Sequence, residues 1–136
     1  MQRITVLCVG KLKEKFYADA AAEYIKRLSR YCKLDVIELP ETRLPEDPSP
    51  AEIQKALAAE ANAIRQKLEA GAVVAMCIEG KTCSSEALSK KLADFALEGK
   101  SRVTFLIGGS FGLDETLKKQ VDWRLSMSPM TFPHHL

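Results

Sequence analysis

The stretch "RVTFLIGGSFG" at residues 102–112 decides the fold, because an apolar run passes directly into a glycine-rich turn. A strand that is apolar along its whole length is typical of a parallel sheet covered on both faces. Ligands of such sheets bind beyond the carboxyl ends of the strands. The stretch therefore predicts a buried strand followed by either a binding loop or a tight turn that requires positive φ. Residues 108–112 are called the glycine loop below.

Four more segments have the composition of strands, and helical segments separate them. The predicted strands span residues 4–10, 34–40, 72–78, 102–108 and 123–128. The predicted helices span residues 14–32, 50–69, 85–99 and 114–121, and the third is capped by Ser84 or Ser85. This alternation indicates an α/β fold with a parallel sheet and helices on both faces. We expect a single domain over residues 1–136.

The overall composition is that of an ordinary globular domain, with 46% apolar and 28% charged residues. No apolar run approaches the ~20 residues that span a bilayer. The first residues lack the small-residue cleavage site of a signal peptide. We therefore expect a cytoplasmic protein with no membrane partner.

The charge and the cysteines point to few specific partners. The net charge of +2 does not by itself indicate a nucleic-acid partner. Lys118, Lys119 and Arg124 are candidate phosphate contacts, although a solvated surface is the simpler explanation of such clusters. The four cysteines have no C-x-x-C spacing and no accompanying histidine pair, so we expect no metal site.

The glycine loop does not match the known phosphate-binding loops. No Lys-Ser or Lys-Thr follows Gly112, which excludes a P-loop. The loop follows the fourth strand, and no acidic residue about twenty positions later ends a strand to bind a ribose. A dinucleotide site is therefore disfavoured.

Two other segments are expected at the same edge of the sheet. "MCIEGK" at residues 76–81 ends the third strand, and "SMSPMTFPHHL" at residues 126–136, the C-terminal segment, ends the last one. Met127, Met130 and Phe132 suit a flat apolar slot, and a buried connector is the simpler alternative. Converging loops that carry no charged side chains to bind a phosphate favour a flat, uncharged ligand such as an adenosine.

These motifs resemble a known family. "CIEGK", "LIGGSFGL" and "LSMSPMTFPHHL", in this order, resemble the ribosomal RNA large subunit methyltransferase H family of the SPOUT superfamily, and the similarity extends over essentially the whole chain. The resemblance implies a parallel-sheet α/β trefoil knot and an S-adenosylmethionine-dependent enzyme. It further implies a homodimer that methylates N3 of a pseudouridine in 23S rRNA on the assembled ribosome.

The resemblance also implies where the cofactor binds. The implied cofactor-binding residues are Met76, Gly108, Met127, Ser128, Pro129, Met130, Thr131 and Phe132. The general base is not identified. His134 is a candidate because an imidazole can accept a proton near neutral pH, while an exposed chain end is the simpler explanation of the His134–His135 pair.

The chain departs from the family pattern at its end. Family members continue past "FPHHL" with a further helix and a basic, aromatic tail, whereas this chain stops at Leu136. The resemblance therefore predicts a domain that lacks this helix and tail and whose knot is incomplete. The alternative functions are an inactive module that binds RNA or the ribosome and, less favoured, a flavin or nicotinamide oxidoreductase.

Overall fold

The computed structural model describes residues 2–136, which form one parallel sheet with helices on both of its faces. The strands are β1 (Gln2–Val9), β2 (Cys32–Leu39), β3 (Ala72–Lys81), β4 (Arg102–Ile107) and β5 (Trp123–Leu125). The helices are α1 (Lys15–Leu28), α2 (Pro50–Lys67), α3 (Ser85–Leu97) and α4 (Glu115–Gln120). The predicted α/β class with a parallel sheet is confirmed, and the knot stays a prediction.

The order of the strands places β4 at the centre of the sheet. The order is β2-β1-β4-β3-β5, and every neighbouring pair is parallel. Leu7 of β1 lies opposite Leu106 of β4 and Ile37 of β2, so these three side chains share one face. The glycine loop therefore leaves the sheet between the ends of β1 and β3.

The direction of each crossover determines which face each helix covers. The β1-to-β2 and β3-to-β4 connections run one way along the sheet, and the other two run the opposite way. Right-handed crossovers therefore place α1 and α3 on one face and α2 and α4 on the other. The core on the α2 side includes Leu7, Ile64, Leu106 and Leu117. The core on the α3 side includes Val74, Phe95, Val103 and Leu125.

The helix starts follow from capping. Ser49 accepts a hydrogen bond from the Glu52 amide at 3.1 Å, and the Glu52 carboxylate accepts one from the Ser49 amide at 3.0 Å. This capping box, with Pro50 in the first turn, fixes the start of α2 as the sequence predicts. Of the two serines predicted to cap α3, the structure selects Ser84, whose side chain accepts from the Ala87 amide.

Three predicted boundaries are wrong by three or more residues. Helix α1 ends at Leu28 rather than at residue 32, because Cys32 already pairs with Gln2 as the first residue of β2. Strand β3 continues to Lys81 instead of ending at residue 78, since Lys81 pairs with Leu125 after a register shift. Strand β5 ends at Leu125 rather than at residue 128, because hydrogen bonds of the Ser126 and Ser128 side chains turn the chain out of the sheet.

The apolar stripe of α1 is largely uncovered. The sequence predicts an amphipathic helix over residues 14–32. Three residues of its apolar stripe are exposed, namely Tyr24, Leu28 and Tyr31. Within residues 2–136, α1 buries none of its side chains, because it lies over the edge strand β2. An apolar helix face of this kind marks a surface that can contact another polypeptide.

One buried carboxylate joins α2 to the connection after β2. Glu60 is buried on α2 and accepts a hydrogen bond from the Thr42 amide at 2.8 Å. Burial raises the pKa of Glu60, and the nearby negative charge of Glu41 raises it further. The amide hydrogen bond acts against this shift, since it favours the charged form.

Truncating the central strand should be costly. Leu106 is fully buried at 0% exposure, whereas Leu97 at the end of α3 is 86% exposed. We expect Leu106→Ala to lower the free energy of unfolding by about 2–5 kcal/mol, because it leaves a cavity in a packed core. Leu97→Ala is the matched control and should change it by less than about 0.5 kcal/mol. Urea denaturation measures both, and equal effects would contradict the assigned core.

Glu60→Gln should stabilise the protein more at high pH than at low pH. The folded-state pKa lies above the ordinary value of 4.5, so the folded protein holds the Glu60 proton more tightly than the unfolded chain does. The contribution of Glu60 to stability therefore falls as the pH rises through that window, and a neutral amide avoids this loss. Denaturation at pH 4, below the ordinary pKa of 4.5, and at pH 8 tests this, with exposed Glu46→Gln as the control. A Glu60→Gln effect that is independent of pH would contradict the argument.

Candidate functional site

Three segments meet at the carboxyl edge of the sheet, as the sequence predicts. They are the end of β3, the glycine loop after β4 and the C-terminal segment after β5. The Ser126 amide donates to the Lys81 carbonyl at 3.0 Å, which joins the ends of β3 and β5. A cavity of about 460 Å³ lies between the end of β3 and the C-terminal segment. It is lined by Ile78, Gly80, Lys81, Thr82, Ser126 and Pro129.

The glycine loop is a tight turn whose shape depends on two glycines. The Gly112 amide donates to the Gly109 carbonyl at 3.0 Å, and Gly112 has a φ of +81°, which favours glycine. A Cβ atom at Gly108 would overlap the backbone carbonyl of Gly112. The interpretation as a turn that requires positive φ therefore holds at Gly112, while Gly108 is needed for the close approach of two backbone segments.

The structure brings Met76 and Gly108 close together. Met76 on β3 lies opposite Ile107, the residue before Gly108, and also opposite Leu125 on β5. Its side chain packs against the core on the α3 side. Both predicted cofactor-binding positions therefore lie at the junction of β3, β4 and β5, and Met76 is held there by the sheet and the core.

Gly80 is a site residue that the sequence reasoning did not identify. A Cβ atom at Gly80 would lie 2.8 Å from the backbone carbonyl of Arg124. The missing side chain allows β3 to continue beside β5 past the register shift. The one available signal was a glycine inside an apolar strand run, which is typical of a bulge or a close backbone approach.

Serine side chains shape the beginning of the C-terminal segment. The hydroxyl of buried Ser126 donates to the Ser128 carbonyl at 2.8 Å and accepts from the Ser128 amide at 3.3 Å. The Ser128 hydroxyl accepts from the Met130 amide at 3.0 Å. These local bonds replace strand pairing and turn the chain out of the sheet.

The apolar side chains of this segment are not core filler. Met127 is 77% exposed, Met130 is 71% exposed and Phe132 is half exposed. The interpretation as a buried connector is therefore wrong, because the serine turns direct these side chains away from the core. They form an uncovered apolar surface next to the cavity, at the positions that the resemblance assigns to the cofactor.

The two histidines lie against α1 rather than at an exposed end. Both are half-buried, their ring centroids are 4.0 Å apart, and the His135 ring lies 6.1 Å from that of Tyr17. The C-terminal segment thus crosses the carboxyl edge from β5 to the start of α1. The Nε2 atom of His134 is buried and has no hydrogen-bond partner among the residues described.

Lys118 is not available to bind a phosphate, contrary to the sequence-based prediction. Its ammonium is buried and forms ion pairs with Glu79 at the end of β3 and with Glu115, the latter at 2.7 Å. The hydrogen bond from Lys118 lowers the pKa of Glu79. Lys118 thus joins α4 to β3, while Lys119 and Arg124 remain exposed.

A second residue missed by the sequence reasoning is Glu41. Its carboxylate accepts a hydrogen bond from the Ser110 amide of the glycine loop at 2.8 Å. The sequence indicates only that an acidic residue follows the end of a strand in a proline-rich loop. Its contact with the loop depends on the order of the strands, which no local pattern specifies.

The structure describes neither a metal cluster nor a membrane-spanning helix. Among residues 2–136, no three His, Cys, Asp or Glu side chains are grouped so that they could hold a metal ion. None of the helices in this part of the chain is long and apolar enough to cross a membrane.

Comparison with known proteins identifies the family of the chain. A sequence model of the family described as "Predicted SPOUT methyltransferase" matches residues 2–136. The chain is 46% identical over 135 residues to a ribosomal RNA large subunit methyltransferase H of Acetivibrio thermocellus, covering 98% of this chain and 85% of the relative.

Two further relatives carry the same name. One, from Alkaliphilus oremlandii, is 46% identical over 98% of this chain and 84% of its own length. The other, from Streptococcus suis, is 45% identical over 98% of this chain and 85% of its own length. The family match over residues 2–136, together with these identities, shows that the chain belongs to the SPOUT methyltransferase family.

Proposed function

We propose that this chain uses S-adenosylmethionine to methylate N3 of a pseudouridine in 23S rRNA on the assembled ribosome. The observation that carries the proposal is the cavity at the carboxyl edge, which lies between two of the three segments on which the family resemblance rests, the end of β3 and the C-terminal segment. The names of the relatives, ribosomal RNA large subunit methyltransferase H, support an rRNA substrate. The precise nucleotide and the ribosomal context follow from the resemblance alone.

The residues present fit S-adenosylmethionine. A volume of about 460 Å³ lies within the usual range of ligand pockets. Lys81 is the one charged residue among its lining, which suits a ligand with a single carboxylate and disfavours a polyphosphate. The exposed methionines of the C-terminal segment offer apolar surface for a flat ring.

We assign cofactor binding to the positions that the resemblance implies. They are Met76, Gly108, Met127, Ser128, Pro129, Met130, Thr131 and Phe132. Pro129 lines the cavity, and Gly108 provides backbone that a side chain would obstruct. When bound, the cofactor supplies a methyl group on a sulfonium, which is already activated for displacement.

The protein's contribution to the reaction is to place the nucleophile and to accept a proton. Transfer forms a bond from N3 to the methyl carbon, breaks the carbon–sulfur bond and releases the N3 proton. Positioning supplies most of the acceleration for such an in-line step. His134 is our candidate base, since its Nε2 atom is buried at this edge without a partner in the described part of the chain.

The exposed surfaces suit the proposed partners. The uncovered apolar stripe of α1 supports a homodimer, because a second copy would bury Tyr24 and Leu28. Exposed Lys119 and Arg124 are suited to contact RNA phosphates near the site. A substrate within the ribosome places the protein in the cytoplasm.

A side chain at Gly108 should strongly weaken cofactor binding. Gly108→Val introduces atoms that overlap the Gly112 carbonyl, so the glycine loop must move. Titration calorimetry with S-adenosylhomocysteine should show at least a tenfold loss of affinity, with the fold intact by circular dichroism.

Gly99→Ala is the matched control for this substitution. Gly99 carries a positive φ, which Gly108 does not, and its missing Cβ faces open space away from the site. This variant should lose about 1 kcal/mol of stability and keep its affinity. Undiminished binding by Gly108→Val would contradict the assignment of Gly108. A wild-type chain that does not bind the ligand at millimolar concentration would contradict the proposed cofactor.

Methyl transfer should depend on the state of the RNA. Incubation with labelled S-adenosylmethionine should label 23S rRNA in assembled ribosomes and leave naked 23S rRNA nearly unlabelled. Mass spectrometry of the digested RNA should then place one methyl group on N3 of a pseudouridine. Salt-sensitive RNA binding without any transfer would instead favour the alternative of a non-catalytic RNA-binding module.

A further inference from the structure

The connection after β2 reaches across the sheet edge to the glycine loop. Strand β1 lies between β2 and β4, so Glu41 must pass over the end of β1 to meet the loop. It does so with its carboxylate, whose Oε1 atom accepts the Ser110 amide hydrogen at 2.8 Å. This is a charge-assisted hydrogen bond to the backbone of the turn itself.

The carboxylate also fits against the glycines on both sides. A Cβ atom on Gly109 would lie 2.5 Å from Oε1 of Glu41, so the absence of that side chain admits the carboxylate. Gly10, which ends β1 with a φ of +94°, has its missing Cβ position 3.6 Å from Oε2. The Glu41 carboxylate therefore lies between the backbones that follow β1 and β4, while the residue remains exposed to solvent.

A second carboxylate fixes the backbone that carries Glu41. Buried Glu60 accepts the amide hydrogen of Thr42, the residue immediately after Glu41, at 2.8 Å. The Gly10 amide donates to the Leu39 carbonyl at 2.6 Å, which anchors the other side of the same connection. Helix α2 and strand β1 thus both hold the chain in the position from which Glu41 reaches the loop.

The glycine loop needs such an external constraint. Three of its five residues are glycine, whose backbone loses more conformational freedom on ordering than that of other residues. Without an acceptor for the Ser110 amide, the loop would sample other conformations, and a ligand would have to order it on binding. An acceptor already in place removes part of that cost.

We infer that Glu41 is a positioning residue that holds the glycine loop in its cofactor-binding conformation through the Ser110 amide. The inference rests on the proposed function for its consequence, since it assumes that the loop contacts S-adenosylmethionine. Its structural part, a carboxylate that restrains the loop, does not depend on the identity of the ligand. Glu41 acts through the backbone of the loop and touches no reacting atom.

Substitutions at Glu41 separate the acceptor from the rest of the side chain. Glu41→Ala removes the acceptor and should weaken S-adenosylhomocysteine binding roughly five- to tenfold, as expected for the loss of one typical intramolecular hydrogen bond. Glu41→Gln keeps an oxygen that can accept the Ser110 amide hydrogen and should recover most of the affinity. Glu46→Ala, an exposed acid on the same connection, should bind like the wild type.

Amide hydrogen exchange at Ser110 in the ligand-free protein supplies a readout that does not require the cofactor. Exchange should become faster in Glu41→Ala, return toward the wild-type rate in Glu41→Gln and stay unchanged in Glu46→Ala. A ligand-binding wild type whose Glu41→Ala variant shows unaltered affinity and unaltered Ser110 exchange would overturn the inference. So would equal loss of affinity in both Glu41 variants without a change in Ser110 exchange.

The same measurements distinguish failure of the inference from failure of the proposed function. If the wild type does not bind S-adenosylhomocysteine, the proposed function fails, and Ser110 exchange alone decides whether Glu41 restrains the loop. Thermal unfolding of each variant verifies that all are folded at the temperature of the titration.

Discussion

The pairing of β4 with two neighbours is the constraint on which the candidate site depends. Hydrogen bonds to β1 on one side and to β3 on the other fix where β4 ends. Because all strands are parallel, this pairing brings the glycine loop, the end of β3 and the C-terminal segment to one edge. The convergence of these segments at one edge is thus a consequence of backbone register.

Backbone construction explains why glycines and serines dominate this edge. At Gly80 and Gly108 a side chain would collide with a neighbouring main chain, and at Ser126 the hydroxyl replaces a strand partner. Charged groups at this edge serve mainly to hold elements together, as Lys118 does between α4 and β3. An edge of this kind can recognise a ligand by shape and main-chain polarity with little fixed charge.

Much of the fold was predictable from local patterns. Apolar strands, the start of α2 at Pro50 and the serine cap of α3 depend on neighbours in the sequence, and these predictions are confirmed. The wrong boundaries at residues 32 and 78 depend on where a partner strand begins or ends, whereas the one at residue 128 depends on hydrogen bonds of the Ser126 and Ser128 side chains. Pairing between segments that are distant in the sequence produces no local sequence pattern.

The site could be predicted from the sequence to about the same extent as the fold. Convergence of three loops follows from the parallel sheet, so it could be expected before any coordinates. The hydrogen bond between Glu41 and Ser110 depends on strand order, and the burial of Lys118 depends on the packing of α4. A single acidic or basic residue in the sequence indicates neither. The roles of Met76, Gly108 and residues 127–132 come from family resemblance and stay predictions.

The exposed methionines and phenylalanine of the C-terminal segment have a thermodynamic consequence. In the free protein Met127, Met130 and Phe132 keep apolar surface in water that a ligand seated beside them would cover. Burial of apolar surface gives association a negative change in heat capacity, so the binding enthalpy becomes more favourable on warming. The affinity of this edge is thereby coupled to temperature through side chains that contribute almost nothing to the core.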